Sequence, residues 1–278
     1  MVTAHDPVNG LFGVLRRHPR FASRYVAPRH VDVWLPPHYQ DTNLHFPVIY
    51  MQDGQNLFDP QTSFLGVDWG IDEAMRRLTA GQRVNAAIVV GIWNTPQRSQ
   101  EYMPQRPLEL RRRKEQGRLG RAAVRKPLSD RYLKFLLTEV KPFLDDHYRT
   151  LADRENTFIM GSSMGGLISL YAVCEYPHVI AGAGCLSTHW PAREGIVVDY
   201  LEKGLPKAGS HKLYFDYGTR TVDALYEPYQ QEVDKVLRAK GYTQGKDWIT
   251  LKFEGAEHSE RAWRERVHIP LEFLLGRQ

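Results

Sequence analysis

The chain has 278 residues in ordinary globular proportions, 42% hydrophobic and 25% charged, with a formal net charge of +5 when the histidines are neutral. This composition excludes a disordered, collagenous or coiled-coil protein and predicts one soluble globular domain over residues 1–278. No apolar run approaches the roughly 20 residues of a membrane-spanning helix, so we expect no membrane partner.

The positive charge is concentrated in one stretch. Residues 106–131 hold ten basic and three acidic side chains, a net charge of +7, which leaves the rest of the chain weakly acidic. The composition as a whole therefore does not indicate a nucleic-acid-binding protein. The first 30 residues carry several arginines and no continuous apolar segment, unlike a secretory signal, so we expect a cytoplasmic protein. Cys174 and Cys185 are expected to be buried thiols rather than a disulfide.

The first half of the chain contains the signals for a hairpin, two buried strands and a helix. Apolar residues alternate from Val31 to Leu35 until two prolines end the strand. Residues 47–51, PVIYM, form a continuous apolar run, as expected of a parallel strand that is covered on both faces. In order, we predict a hairpin over 21–35, a strand over 47–51, a helix over 72–79 and a strand over 86–93.

The second half alternates strands with helices. After a helix over 132–148, which Pro142 is expected to kink or split, comes a strand–turn–helix unit over 157–173. The remaining elements are strands over 179–187, 212–217 and 248–253 and helices over 195–203, 229–237 and 262–275. This alternation predicts an α/β fold with a mostly parallel central sheet and helices on both faces.

The strand–turn–helix unit contains Gly161-Ser162-Ser163-Met164-Gly165, a match to G-x-S-x-G. A sharp turn of this kind exposes the central serine, points it at a base and brings amide donors beside it. The flanking glycines are needed because a tight strand-to-helix turn has no room for a Cβ. Such a pattern also occurs in Gly-rich loops of ordinary strand–helix units, but the apolar strand before it and the helical spacing after it favour a nucleophile elbow at Ser163.

Polar residues that follow later strands are candidate partners of Ser163. Reactive groups in such a sheet lie at the C-terminal ends of the strands, and there the sequence has Asp223 and His258. The order Ser, acid, His is the one that α/β-hydrolases use, so we predict Ser163 as nucleophile, His258 as base and Asp223 as acid. Asp216 and Glu227 remain alternatives for the acid.

The chemistry also requires two amide donors for a tetrahedral oxyanion. One is predicted to be the N–H of Met164, directly after the nucleophile, and the other the N–H of Gln55 in the loop after the PVIYM strand. The sequence has no H-E-x-x-H, no cysteine cluster and no P-loop. We therefore expect neither a metal nor a cofactor.

Several motifs together resemble the putative-esterase family of α/β-hydrolases, which includes feruloyl esterases, siderophore esterases of the enterobactin type and mycolyltransferases. The motifs are VDVWLPP with His38-Tyr39, YMQDGQNLFD over 50–59, Arg98 to Tyr102, GSSMGG over 161–166 and the late His258. The resemblance covers about residues 21–275. It implies an α/β-hydrolase fold, Ser163 as nucleophile, His258 as base and the Asp53-Gly54-Gln55 loop as part of the oxyanion hole.

We therefore predict a serine hydrolase that cleaves a carboxylic ester through an acyl-enzyme. The alternatives are acyl transfer to a hydroxyl acceptor on the same triad and a non-catalytic binding protein with this fold.

The substrate side of the site is less strongly specified. Four aromatic residues lie near predicted strand ends: Trp69, Trp93, Tyr102 and Trp190. They would favour an aromatic or sugar-bearing ester if they line the cleft, and the alternative is that they are core residues. Three polar residues are also candidate substrate contacts: Asp53, Arg98 and His189. His189 is in addition the second candidate for the base.

The basic stretch is predicted to be an insertion at about 104–130. Arg111, Arg112 and Arg113 on the rim of the site would attract an anionic ester. The alternative is a solvated helix that faces away from the cleft.

Overall fold

The computed structural model describes residues 12–114 and 126–276, and eight of its strands form one sheet. The strands are β1 (Val14–Phe21), β2 (Arg29–Leu35), β3 (Val48–Gln52), β4 (Ile88–Ile92), β5 (Thr157–Ser162), β6 (Gly182–Leu186), β7 (Lys212–Gly218) and β8 (Trp248–Phe253).

The strand order across the sheet is β1-β2-β4-β3-β5-β6-β7-β8. β2 is antiparallel to both of its neighbours, whereas β4, β3, β5, β6, β7 and β8 are all parallel. The carboxyl ends of these six strands therefore meet at one edge, with β5 near the middle of the row. This confirms the predicted α/β-hydrolase fold with its mostly parallel sheet.

Ten α-helices in the described residues connect and cover the strands. They are α1 (Ile71–Ala80), α2 (Arg98–Glu101), α3 (Gln105–Lys114), α4 (Ser129–Phe135), α5 (Lys141–His147), α6 (Met164–Glu175), α7 (Ile196–Gly204), α8 (Glu227–Ala239), α9 (Glu260–Arg266) and α10 (His268–Leu275).

The parallel strands are buried on both faces, which explains their continuous apolar runs. In β3, Val48 and Tyr50 belong to one core, and Ile49 and Met51 belong to the other. Helices α4 to α8 cover the first core, while α1, α9 and α10 cover the second. Each apolar side chain taken out of water here contributes about 1.5–3 kcal/mol to folding.

Three elements differ from the sequence prediction. The first strand of the hairpin begins at Val14, earlier than predicted, and the closing helix is two helices, α9 and α10, separated at Val267. Pro270 has no N–H with which to bond the carbonyl of Arg266, so a continuous helix would be broken there. The predicted helix over 132–148 is divided by a π-helical segment, Leu136–Val140, which ends two residues before Pro142.

The basic stretch begins with α3, which packs against α7. Arg111 of α3 donates hydrogen bonds to Glu194 at 2.6 Å and to the carbonyl of Arg193 at 3.3 Å. Residues 115–125 of the predicted insertion lie outside the described residues. Single-domain organisation and the anion-attracting rim therefore stay predictions.

Cys174 and Cys185 are both free and buried, and burial raises the pKa of each thiol. Within residues 12–114 and 126–276, no helix is both long enough and apolar enough to cross a bilayer.

Candidate active site

Ser163 occupies the turn between β5 and α6 in a strained backbone conformation, φ 56° and ψ −123°. The glycines around it allow this turn. A Cβ on Gly161 would lie 2.8 Å from the Gln52 side chain, and a Cβ on Gly165 would lie 3.1 Å from the same residue. Strain of this kind costs on the order of 1–3 kcal/mol and is typical of functional sites. The turn at Ser163 therefore has the sharp, strained backbone that a nucleophile elbow requires.

A continuous chain of hydrogen bonds joins Ser163, His258 and Asp223. Oγ of Ser163 lies 3.0 Å from Nε2 of His258, and Nδ1 of His258 lies 2.6 Å from Oδ1 of Asp223. An ionised carboxylate can only accept, so Nδ1 donates to it and the lone pair of Nε2 faces the serine hydroxyl. In this arrangement His258 is poised to accept the Ser163 proton.

Asp223 is fully buried and has further donors on its other oxygen. Oδ2 accepts from the N–H of Gly218 at 2.7 Å and from Oγ of Ser187 at 2.6 Å. Burial by itself would raise the pKa of Asp223, but the hydrogen bonds from His258, Ser187 and Gly218 outweigh it, so the pKa lies below its usual value. The carboxylate is thus ionised and fixed in direction.

The sequence analysis did not identify Ser187 as a residue of the site. The Ser187 hydroxyl accepts from Nε1 of Trp263 at 3.0 Å and from Nη2 of Arg266 at 2.9 Å, and it donates to Asp223. Its position directly after β6, at the same edge as the other strand ends, was the available signal.

The alternative acids have other partners. Asp216 accepts from both Nε and Nη2 of Arg266 at 3.1 Å and from the hydroxyl of Tyr214 at 2.8 Å. Glu227 lies 3.0 Å from Nζ of Lys252. Of the three candidate carboxylates, only Asp223 is hydrogen-bonded to His258.

His189 lies beside the nucleophile, but its ring is bonded to a tyrosine. Its N–H donates to the carbonyl of Ser163 at 3.2 Å, and its Nδ1 is 2.7 Å from the hydroxyl of Tyr226. Burial, with smaller contributions from His258 and Arg98, lowers the pKa of His189. Of these two histidines, His258 is the one whose ring is hydrogen-bonded to the Ser163 hydroxyl, whereas the His189 ring is hydrogen-bonded to Tyr226.

Tyr226 was not predicted as a site residue. It is fully buried, interacts with the Ser163 side chain, and its ring meets His258 edge-on at 5.8 Å between centroids. It follows Asp223 by three residues, a spacing that puts both on the same side of a helical turn and could have indicated it.

The two predicted oxyanion donors are the N–H groups of Met164 and Gln55. Within the described residues, neither meets an acceptor in the protein. Gln55 follows Asp53, whose backbone is left-handed at φ 55°. The Asp53 carboxylate is bonded to Arg98 at 2.7 and 2.8 Å. These two predicted substrate contacts are therefore paired with each other.

Three of the four aromatic candidates fit the alternative that they are core residues. Trp69, Tyr102 and Trp190 are 2%, 0% and 1% exposed and belong to the two buried hydrophobic clusters. Trp93 is half-buried, and its Nε1 donates to Asp32 at 2.8 Å on the β1–β2 side of the sheet.

Exposed apolar side chains lie instead on two loops that carry site residues. Phe64 and Leu65 follow the Asp53-Gly54-Gln55 loop, and the N–H of Phe64 donates to Oδ1 of Asn56, the residue directly after that loop, at 2.9 Å. Val222 and Leu225 flank Asp223. Sequence periodicity could not identify them, because loop exposure has no repeating pattern.

Residues 23–269 match the family described as "Putative esterase". The chain belongs to this family. The match confirms the resemblance that the sequence motifs indicated, and it makes the protein a carboxylic ester hydrolase. Among the described residues of this esterase, no group of three or more His, Cys, Asp or Glu side chains is arranged to hold a metal ion.

The esterase is similar to several known proteins. The "Uncharacterized protein YbbA" of Bacillus subtilis (strain 168) is 25% identical to this chain over 260 residues. The alignment covers 90% of this chain and 93% of the Bacillus protein. The enterobactin esterase FES from Shigella flexneri, solved in the presence of enterobactin, is 17% identical with a TM-score of 0.72, covering 96% of this chain and 61% of that one. The ferulic acid esterase AmCE1/Fae1A from Anaeromyces mucronatus is 19% identical with a TM-score of 0.65, covering 98% and 93%. At these identities the structural likeness establishes the fold.

Proposed function

We propose that the protein is a serine esterase that works through an acyl-enzyme, with Ser163 as nucleophile, His258 as general base and acid, and Asp223 as the orienting carboxylate. The observation that carries the proposal is the hydrogen-bond chain from Ser163 through His258 to Asp223, at 3.0 and 2.6 Å, on a strained elbow. A surface serine without these partners would be a poor nucleophile at neutral pH.

Acylation follows from this geometry. Nε2 of His258 takes the hydroxyl proton as Oγ of Ser163 attacks the ester carbonyl, and the buried Asp223 stabilises the imidazolium that forms. The N–H groups of Met164 and Gln55 stabilise the oxyanion, and each such donor is worth on the order of 3 kcal/mol in the transition state. When the intermediate collapses, His258 protonates the departing alkoxide, which leaves as the alcohol.

Deacylation repeats the same steps with water. His258 removes a proton from the water that attacks the Ser163 ester, and it returns that proton to Oγ as the free acid leaves. No step requires a metal or a cofactor.

The substrate we propose is an ester with an apolar or aryl group. Phe64 and Leu65 on one loop and Val222 and Leu225 on the other are exposed beside the oxyanion donor and the acid, where they can contact such a group. Two of the similar structures are named as ferulic acid and enterobactin esterases. The buried Trp69, Tyr102 and Trp190 do not contribute to this argument.

The test is covalent labelling with a fluorophosphonate, followed by peptide mapping. We expect wild type to be labelled at Ser163 and the Ser163→Ala protein to be unlabelled. Ser162→Ala is the matched control, since Ser162 is the buried neighbour in the same turn and should leave labelling intact. A folded wild-type protein that is not labelled would contradict the proposal and favour a non-catalytic binding protein.

Hydrolysis is separated from acyl transfer by product analysis. With an aryl ester and added primary alcohols, we expect free acid to remain the main product. A transesterified product that dominates at low alcohol concentration would assign the same triad to an acyltransferase instead.

A further inference from the structure

A carboxylate lies beside the proposed oxyanion hole. Asp53 precedes Gln55 by two residues, and its Oδ2 is 3.5 Å from the position that a Cβ on Gly165 would take, in the first turn of α6. Met164, the other proposed amide donor, directly precedes Gly165. Asp53 therefore lies between the two segments that supply the donors.

A bare negative charge at this position would oppose catalysis. The oxyanion that forms on the substrate carbonyl is itself negative, and the surroundings are largely shielded from water, so charges interact strongly over short distances. The Asp53 side chain is only 7% exposed, which limits screening by solvent. A cation is needed if the carboxylate is to remain there without a catalytic cost.

Arg98 supplies that cation in a fork geometry. Nε and Nη2 of Arg98 donate to Oδ1 and Oδ2 of Asp53 at 2.7 and 2.8 Å, and Nδ2 of Asn94 donates to Oδ1 at 2.6 Å. The Arg98 guanidinium also lies over the ring of Tyr102 at 5.0 Å, and the Tyr102 hydroxyl accepts from the N–H of Asp53 at 3.3 Å. The backbone of Asp53 and its carboxylate are thus held from the same side.

The Arg98–Asp53 pair is connected both to the Asp53-Gly54-Gln55 loop, here called the oxyanion loop, and to the core. The N–H of Asn94 donates to Oε1 of Gln55 at 3.2 Å, which ties the loop to the segment after β4. Glu101, one turn beyond Arg98 in α2, forms a fully buried fork with Arg29 of β2 at 2.6 and 2.8 Å. Because α2 is anchored in this way, Arg98 has little freedom to move away from Asp53.

We propose that Arg98 is a positioning residue of the esterase, which neutralises Asp53 and holds the Asp53-Gly54-Gln55 loop so that the Gln55 N–H points at the oxyanion. This inference rests on the proposed function. It assigns Arg98 to the enzyme's own machinery and not to contact with an anionic substrate.

The sign of the charges gives an unusual prediction for a set of variants. Arg98→Met leaves Asp53 unneutralised, and we expect kcat for a neutral aryl ester to fall about 100-fold, comparable with loss of an oxyanion donor, while KM changes less than about threefold. In Asp53→Asn/Arg98→Met the opposing charge is gone, and kcat should recover at least about tenfold over the single variant. Asp53→Asn alone should cost less than about tenfold, since the remaining cation does not oppose an oxyanion.

Inhibition by boronic acids tests the oxyanion site without substrate turnover. Aryl boronic acids form an anionic tetrahedral adduct on an active serine, so their Ki should rise in Arg98→Met by about the same factor as kcat/KM falls. If Arg98→Met does not fold, Arg98→Lys is the substitute variant, because it keeps the charge but loses the fork. Its boronate Ki should be higher than that of wild type, by a factor of less than about 100.

Arg17 and Asp32 provide a matched control. They form the same fork at 2.7 and 2.8 Å between β1 and β2, away from the elbow. Arg17→Met should lower the midpoint of urea unfolding as Arg98→Met does, yet keep kcat within about twofold of wild type.

The experiments distinguish failure of the Arg98 proposal from failure of the proposed esterase function. Wild type unlabelled by fluorophosphonate overturns the proposed function itself. If wild type is labelled but kcat of Arg98→Met stays within about threefold of wild type, the positioning role alone is overturned. The same holds if kcat of the double variant is no higher than that of Arg98→Met. Loss confined to a matched anionic ester assigns Arg98 to substrate contact and also overturns it.

Discussion

Replacing Asp223 with Asn should invert the tautomer of His258. Oδ2 of Asp223 accepts from the N–H of Gly218, which can only donate, so the amide oxygen of Asn must take the Oδ2 position. Its NH2 group then faces Nδ1 of His258, where Oδ1 now lies at 2.6 Å. A donor in that place binds the imidazole with its lone pair on Nδ1 and its proton on Nε2.

The magnitude follows from this geometry. With a proton on Nε2, His258 cannot accept the proton of Ser163, 3.0 Å away, although the side chains keep their positions. The same change in other Ser-His-Asp triads lowers kcat by about 10⁴ through the wrong tautomer. At about 1.4 kcal/mol per factor of ten, the loss of transition-state stabilisation is about 5 kcal/mol.

The assay is steady-state hydrolysis of an aryl ester, together with ¹⁵N NMR of the histidine rings to identify the His258 tautomer. Glu227→Gln is the control at a surface carboxylate and should leave kcat unchanged, since Glu227 is paired with Lys252. Asp216→Asn should cost mainly stability, because it weakens the partner of the buried Arg266.

Two results would refute this reasoning. An Asp223→Asn protein that retains a tenth of the wild-type kcat would show that the carboxylate does not set the tautomer. A 10⁴-fold loss in Asp216→Asn or Glu227→Gln, with the fold intact, would identify a different acid.

Three further outcomes are expected. Arg29→Met should lower the free energy of unfolding by about 3–5 kcal/mol, because it leaves Glu101 charged and fully buried; Arg29→Met/Glu101→Met should be more stable than the single variant, and urea unfolding measures both. Gly54→Ala should abolish most esterase activity, since its Cβ would lie 2.4 Å from the carbonyl carbon of Gly91 and the oxyanion loop would shift; normal kcat would contradict that geometry. Burial lowers the pKa of His211 below its usual value of about 6.5, so as pH falls from 7 to 5 the unfolded chain binds the proton first and stability falls. His211→Asn should therefore lose less stability than wild type over that range, and equal losses would contradict this origin.

The sequence by itself determined the order of elements and the elbow. Apolar periodicity is local, so PVIYM was recognisable as a doubly covered strand and Gly161 to Gly165 as a strand-to-helix turn. Apolar periodicity also located most of the predicted helices. It was less informative where helices are interrupted, as at Val267, because the apolar pattern continues through both α9 and α10.

Only the tertiary structure decided which polar groups meet. Asp216 lies in β7, and Asp223 and Glu227 follow that strand within ten residues. Sequence spacing favoured Asp223, but only the structure shows that Asp216 pairs with Arg266 and Asp223 with His258. The burial of Trp69 and Trp190 likewise depends on residues distant in the chain.

The pairing of Asp53 with Arg98 is the clearest case. Their side chains are 45 residues apart in the chain and come together because β3 and β4 are parallel neighbours whose carboxyl ends meet at one edge of the sheet. The sequence identified both as polar groups that follow strands and hence as candidate substrate contacts. Strand order brings their loops together, and opposite charges in a largely buried place then bind each other.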